Sequence, residues 1–351
     1  MNAPLTPYAV PRPSVPIDLW LDANEGEAPP LELLDALRAA GGDALRRYPD
    51  ARPLEAKLAA RLGLAAEQVL VTPGADEALD RACRAHLGPG KRILLAEPTF
   101  EMLSRYARLA DAEVDSFEWV SGPFPVEAAL ARTTPATALV VVVTPNNPTG
   151  AVATASDLER LSAAAPDAIV IVDLAYVEFA DEDLTARALA MPNVLVTRTL
   201  SKAWGLAGLR VGYVAGPRPI IDVLRATGSP FGVSSPSLLL AEAWVERGEE
   251  RVRSFVDRIR CERAELTRIL ATRGATPLPS QANFVLARFA DAEAVHDALA
   301  ASGISVRIFP RRASLEGCLR ITCPGNAADF ARLTRALEAA LSASTGKETR
   351  R

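Results

Sequence analysis

Five short stretches of this chain are apolar almost without interruption: Gln68–Thr72 (QVLVT), Arg92–Ala96 (RILLA), Ala138–Val143 (ALVVVV), Ala168–Val172 (AIVIV) and Val194–Val196. A strand with one wet face alternates apolar and polar residues, so a continuous run requires cover on both faces. Between these runs, Ala75–Leu87, Thr99–Leu109 and Val126–Ala131 carry apolar residues at helical spacing. Strands that alternate with helices build right-handed crossover units. The expectation is an α/β fold, three-layered, with a mostly parallel central sheet between helices.

A second pattern follows. Arg251–Arg273 reads as a long amphipathic helix. Asn283–Phe289, Ser305–Ile308 and Cys318–Thr322 read as strands, and Ala292–Ala301 and Ala327–Leu341 as helices. Few strands with helices on one side suggest a smaller α+β domain. At 351 residues, the chain has room for two domains. The expected division is an N-terminal arm with part of the small domain (1–48), a large ligand-binding domain (49–246) and a C-terminal small domain (247–351). Ser342–Arg351 is polar and is expected to fray.

Charge narrows the partners. Lys+Arg number 39 and Asp+Glu 43, a net charge of −4. That balance offers no basic footprint for nucleic acid and no polybasic segment for anionic lipid. Cys83, Cys261, Cys318 and Cys323 are scattered without a CxxC pair, which argues against a zinc site or disulfide framework. Met1–Ser14 is proline-rich and lacks a signal-peptide pattern, and no apolar run reaches a membrane span. The expected setting is the cytoplasm, with reduced thiols. Only four lysines occur (Lys57, Lys91, Lys202 and Lys347), so lysine chemistry has few candidates.

In open α/β sheets, ligands bind beyond the carboxyl ends of the strands. Lys202 sits there, inside TLSKAWGLAGLR at 199–210. An apolar surround disfavours the charged ammonium and makes the amine a nucleophile. Thr199, Ser201 and Arg210 flank it with groups suited to a phosphate. Asp173 ends the run AIVIVD. Opposite a pyridine nitrogen it would hold the ring protonated, although an ordinary helix cap fits it equally well. Asn146-Asn147-Pro148-Thr149-Gly150 ends another strand and by itself reads as a turn. Gly74-Ala75-Asp76 opens a helix whose exposed amides suit phosphate, or is a simple glycine turn. Gly88–Arg92 lacks the glycine and hydroxyl of a nucleotide loop, and Gly205, Gly208 and Gly212 have the wrong spacing for a dinucleotide fingerprint. His86 and His296 fall on helices and support no triad or metal cluster. Trp20, Trp119, Trp204 and Trp244 read as core or interface aromatics.

Taken together, TPNNPTG, DLAY, TLSKAWGLAGLRVGY and CLRIT resemble the class I/II, fold type I aminotransferases, which use pyridoxal 5′-phosphate. LTPY at 5–8, LDANEG at 21–26, RRYPD at 46–50, GADEAL at 74–79, EPTFEM at 97–102 and SLEGCLRIT at 314–322 are similar to the histidinol-phosphate aminotransferase subgroup. The resemblance implies roles for these positions. Lys202 would bond to the cofactor aldehyde, and Asp173 would pair with the pyridine nitrogen. Asn147 and Tyr176 would hydrogen-bond the ring hydroxyl, with Phe100 stacked on the ring. Ala75, Asp76, Thr199, Ser201 and Arg210 would cradle the phosphate. Tyr48 would reach the cofactor of a neighbouring subunit, which implies a homodimer. Arg320 would hold the substrate's acidic group, Tyr8 and Arg307 a substrate phosphate, and Asn24 would lie near the substrate.

Two positions depart from the family pattern. Leu174 stands where DEAY has glutamate, and Ile308 stands where the subgroup often has aspartate after Arg307. The implied activity is transamination of L-histidinol phosphate with 2-oxoglutarate. An aromatic amino acid aminotransferase or a phosphothreonine decarboxylase of the same fold would share these motifs. A non-catalytic α/β binding protein would share only the fold.

Overall fold

The computed structural model describes residues 13–310 and 312–348. Its strands are β1 (Leu19–Leu21), β2 (Val69–Thr72), β3 (Arg92–Glu97), β4 (Glu113–Glu118), β5 (Thr137–Val143), β6 (Ile169–Asp173), β7 (Val194–Thr199), β8 (Gly212–Ala215), β9 (Thr276–Pro277), β10 (Phe284–Arg288), β11 (Ile304–Ile308) and β12 (Cys318–Thr322). They form two sheets. The larger has the order β2-β8-β7-β6-β5-β3-β4, and the smaller β1-β11-β12-β10-β9. In the large sheet β7, β6, β5, β3 and β4 are mutually parallel, while β8 runs antiparallel to both its neighbours.

Both faces of the large sheet are dry. Leu94, Val140, Val142, Val170, Val172 and Val196 pack on one side. Their sequence neighbours Ile93, Leu95, Val141, Ile171 and Leu195 pack on the other. That is why the strands read as continuous apolar runs. β4 lies at the edge and buries only Phe117, so its sequence EVDSFE gives no strand signal.

The small sheet is antiparallel except for β1, which joins β11 in parallel. The helix Glu249–Thr272 supplies Phe255, Ile259 and Leu266 to its core. Tyr176, Phe179 and Ala203, from the loops after β6 and β7, enter the same core.

Three boundaries and one residue's placement differ from the sequence reading. The helix expected at Thr99 begins at Met102, because Thr99 is engaged in a loop through its hydroxyl bond to Asn146 Oδ1 at 2.8 Å. β7 continues past Val196 to Thr199, since its last residues still pair with β8. The last helix runs from Ala327 through Glu348, beyond the expected fraying point. Trp20 is not a core residue; it is 44% exposed beside the principal cavity.

Candidate active site

A cavity of about 650 Å³ opens at the carboxyl ends of β3, β5, β6 and β7. Its walls include Asn24, Ala75, Asp76, Phe100, Asn147, Asp173, Tyr176, Thr199, Ser201, Lys202, Arg210, Arg307 and Arg320. The chain thus brings thirteen of the fifteen sequence candidates to one place. Tyr48 is elsewhere: it is 80% exposed and stacks on Phe231 with ring centroids 4.5 Å apart. Tyr8 lies outside the described residues.

Asp173 is the last residue of β6 and is buried. Its Oδ1 accepts from Thr197 Oγ1 and from the Ala175 amide, each at 3.1 Å. Burial outweighs these bonds and pushes the carboxyl up to about 7. Lys202 follows β7 in a tight loop. Its Nζ donates to the Ala23 carbonyl at 2.8 Å and lies 5.8 Å from the Tyr176 ring centroid. Burial, and then the charge of Arg320, lower the ammonium to about 8. The Tyr176 hydroxyl accepts from Asn24 Nδ2 at 3.0 Å, and burial raises it to about 12, so it stays protonated.

The two asparagines after β5 separate into distinct tasks. Asn146 is fully buried and ties the loop together through Pro98 O and Thr149 Oγ1, both at 2.9 Å. Asn147 lines the cavity and accepts from Arg320 Nη1 at 2.5 Å.

At the opposite end, anion-binding groups converge. The first turn of the helix Gly74–His86 supplies Ala75 and Asp76. Thr199 Oγ1 donates to Ser201 Oγ at 2.9 Å, and Arg210 Nη1 donates to Ser201 Oγ at 3.4 Å. Arg210 Nη2 reaches Asp76 Oδ2 at 3.3 Å. β8 fits against this helix start only because residue 212 is glycine: a Cβ there would lie 2.4 Å from the Ala75 nitrogen. Hydroxyls, a guanidinium and a helix N-terminus form a phosphate cradle. An acid at the far end and an amine beside it complete a donor set that fits a phosphorylated pyridine aldehyde.

The small sheet supplies the remaining wall. Arg307 and Arg320 are register partners on β11 and β12. Arg320 Nη2 donates to the Asp22 carbonyl at 2.6 Å. Arg307 Nη2 donates to Glu101 Oε1 at 3.1 Å. Asn24 adopts a left-handed backbone (φ 57°), and its Oδ1 accepts from Thr322 Oγ1 at 2.8 Å. Glu101, Arg312 and Asp22 also line the cavity, and the sequence did not single them out; Trp20, read as a core or interface aromatic, lines it too. Glu101 lay in a quoted motif but had no visible partner, and Arg312 followed a second arginine in an unremarkable string.

Residues 17–337 match the family described as aminotransferase class I and II. The histidinol-phosphate aminotransferase of Paracoccus denitrificans is 40% identical over 296 residues, covering 82% of this chain and 79% of that protein. That of Erythrobacter litoralis is 38% identical over 341 residues, covering 92% and 90%. Among solved structures, histidinol-phosphate aminotransferase from Sinorhizobium meliloti, in complex with pyridoxal-5′-phosphate, superposes with a TM-score of 0.82 at 26% identity, covering 93% and 92%. Matched along nearly its whole length, with lysine, acid and phosphate cradle on one cavity, the chain belongs to the class I and II aminotransferases, in their fold type I architecture.

Proposed function

We propose that this enzyme transfers the amino group of L-histidinol phosphate to 2-oxoglutarate, with pyridoxal 5′-phosphate as its cofactor, as a homodimer in the cytoplasm. The observation that carries the substrate is the pairing of Arg307 with Arg320 on neighbouring strands across the cavity from Lys202. Relatives named for the same reaction support it over most of the chain.

When bound, the cofactor supplies an electron-withdrawing ring that stabilises negative charge at the substrate's Cα. Asp173 would hold the proton on its ring nitrogen, because a carboxyl whose burial outweighs its hydrogen bonds and the charge of Lys202 still gains from a cation set against it. Asn147 and the protonated Tyr176 hydroxyl would orient the ring oxygen, and Phe100 would cover the ring face. Ala75, Asp76, Thr199, Ser201 and Arg210 would anchor the phosphate, with Tyr48 of a second copy completing it. Lys202 Nζ, lowered towards neutrality by burial, would be suited to take the proton from the substrate's Cα and to pass it on to the cofactor side rather than back to Cα. Arg320 would grip the acidic group of either substrate through its planar fork. Arg307 and Tyr8 would receive the phosphate, and Asn24 would position the substrate side of Tyr176.

Two separate sheets favour the proposed division into an N-terminal arm with part of the small domain at 1–48, a large cofactor-binding domain at 49–246 and a C-terminal small domain at 247–351. The four cysteines are free thiols, which fits a reducing compartment.

Steady-state kinetics with two amino donors test the reading. Histidinol phosphate is expected to exceed phenylalanine in kcat/KM by at least about a hundredfold, the scale of discrimination expected when paired polar groups lose their ligand. The reverse order would overturn the substrate and leave the aminotransferase intact.

A further inference from the structure

Glu101 spans two guanidiniums. Its Oε1 accepts from Arg307 Nη2 at 3.1 Å, and its Oε2 lies 3.7 Å from Arg312 Nη2. The two cations are well anchored. Arg307 projects from β11 and is 8% exposed, with its guanidinium 5.7 Å from the Phe309 ring centroid. Arg312 is held independently by a 2.9 Å bond from Nη1 to the Thr99 carbonyl. Glu101 differs: its side chain is 36% exposed, and it precedes the helix Met102–Leu109 rather than lying inside it. Ile308, next to Arg307, offers no charge, so the counter-ion for Arg307 arrives from the opposite wall.

We propose that Glu101 is a displaceable counter-ion, which partly offsets the charges of Arg307 and Arg312 until the distal phosphate of a substrate takes its place. This rests on the reading that the cavity accepts a phosphorylated amine. Two largely buried guanidiniums without an anion are costly, so a resident carboxylate is stabilising. A phosphate monoester carries roughly −1.5 to −2 charges near neutral pH and three acceptor oxygens, against one charge and two oxygens for Glu101. It can engage both forks at once. Glu101, partly exposed and placed just before the helix, can retreat to solvent. A neutral or singly charged side chain lacks the attraction to drive that exchange. The carboxylate therefore sets a threshold that favours dianions, a selectivity built by competition.

The alternative is a fixed brace, and the two differ in sign. Inorganic phosphate is titrated calorimetrically into the holoenzyme, whose cofactor fills the cradle at Ser201 and Arg210. Glu101→Gln is expected to lower the phosphate Kd roughly threefold to tenfold, the scale of removing one repulsive charge near an anion site. It should also lower KM for histidinol phosphate more than it changes kcat. Glu101→Ala should act in the same direction, and Arg312→Gln should weaken phosphate whether Glu101 is present or not. Unchanged or weaker phosphate binding by both Glu101 variants would overturn the proposal, since a brace would be lost. If phosphate binds more tightly yet phenylalanine proves the better donor, the counter-ion role stands and the substrate reading falls.

Discussion

Asp173 and Lys202 owe their chemistry to the same cause, burial at the end of a strand. For Asp173 the sign can be worked out. Its folded pKa is near 7 and its ordinary value is 3.8. Between those values the folded chain holds a proton that the unfolded chain has released, so stability falls as pH rises from about 4 to about 7 and stays lower above that. Asparagine carries no such charge. Asp173→Asn is therefore expected to stabilise the cofactor-free protein at pH 8, by on the order of 4 kcal/mol at most, and so to raise its Tm there while leaving it unchanged near pH 4. Scanning calorimetry across pH checks this; a wild-type Tm at pH 8 would mean that the carboxylate is already compensated. In the holoenzyme the same substitution should lower activity, because it removes the partner of the ring nitrogen.

The loop that carries Lys202 is set by backbone contact. A Cβ on Gly205 would lie 1.9 Å from the Glu27 carbonyl, and one on Gly26 would lie 1.9 Å from the Lys202 carbonyl. The N-terminal segment and the lysine loop thus touch main chain to main chain. Gly205 also has φ +67°. Gly205→Ala is expected to destabilise by more than the roughly 1–2 kcal/mol that left-handed backbone alone costs. Urea denaturation checks it, with Gly208→Ala as control, since nothing lies within 4 Å of a Cβ there. Equal midpoints for the two variants would refute the contact. Elements of this kind explain which parts of the fold were legible. β5 and β6 announced themselves because helices cover both faces, and Asp173 and Lys202 could be found because they end such strands. β8 has only four residues and starts with glycine, and β4 is a polar edge, so neither stands out. The helices Ala155–Ala164 and Ser235–Arg247 do carry start signals, the Thr154–Asp157 capping box and the Ser234 cap followed by Pro236, which a search by apolar periodicity alone passes over. Glu101 and Arg312 acquire meaning only when the small sheet is laid over the large one, which no local pattern encodes.

At the scale of the whole molecule, Tyr48 and its stacking partner Phe231 expose aromatic surface well away from the cavity wall of their own chain. If Tyr48 serves a neighbour's site, two damaged chains should repair one another. Lys202→Ala and Tyr48→Ala proteins, unfolded together and refolded as a mixture, are expected to regain about a quarter of wild-type activity. Half of randomly paired dimers are mixed, and each holds one intact site. No recovery above the separately refolded variants would place Tyr48 outside the site. The small sheet has another consequence. Leu19–Leu21 pairs with Ile304–Val306, and Asn24 is bonded to Thr322 and Asn283. At translation rates of about 5–20 residues per second, the ribosome needs roughly a quarter of a minute to a minute to deliver β11 after β1 has been made. β1 therefore waits while the whole large sheet is synthesised before the edge it shares with β11 can be satisfied, and the segment that will underlie the reactive amine finds its seat only after the strands that carry the cofactor-facing groups are made.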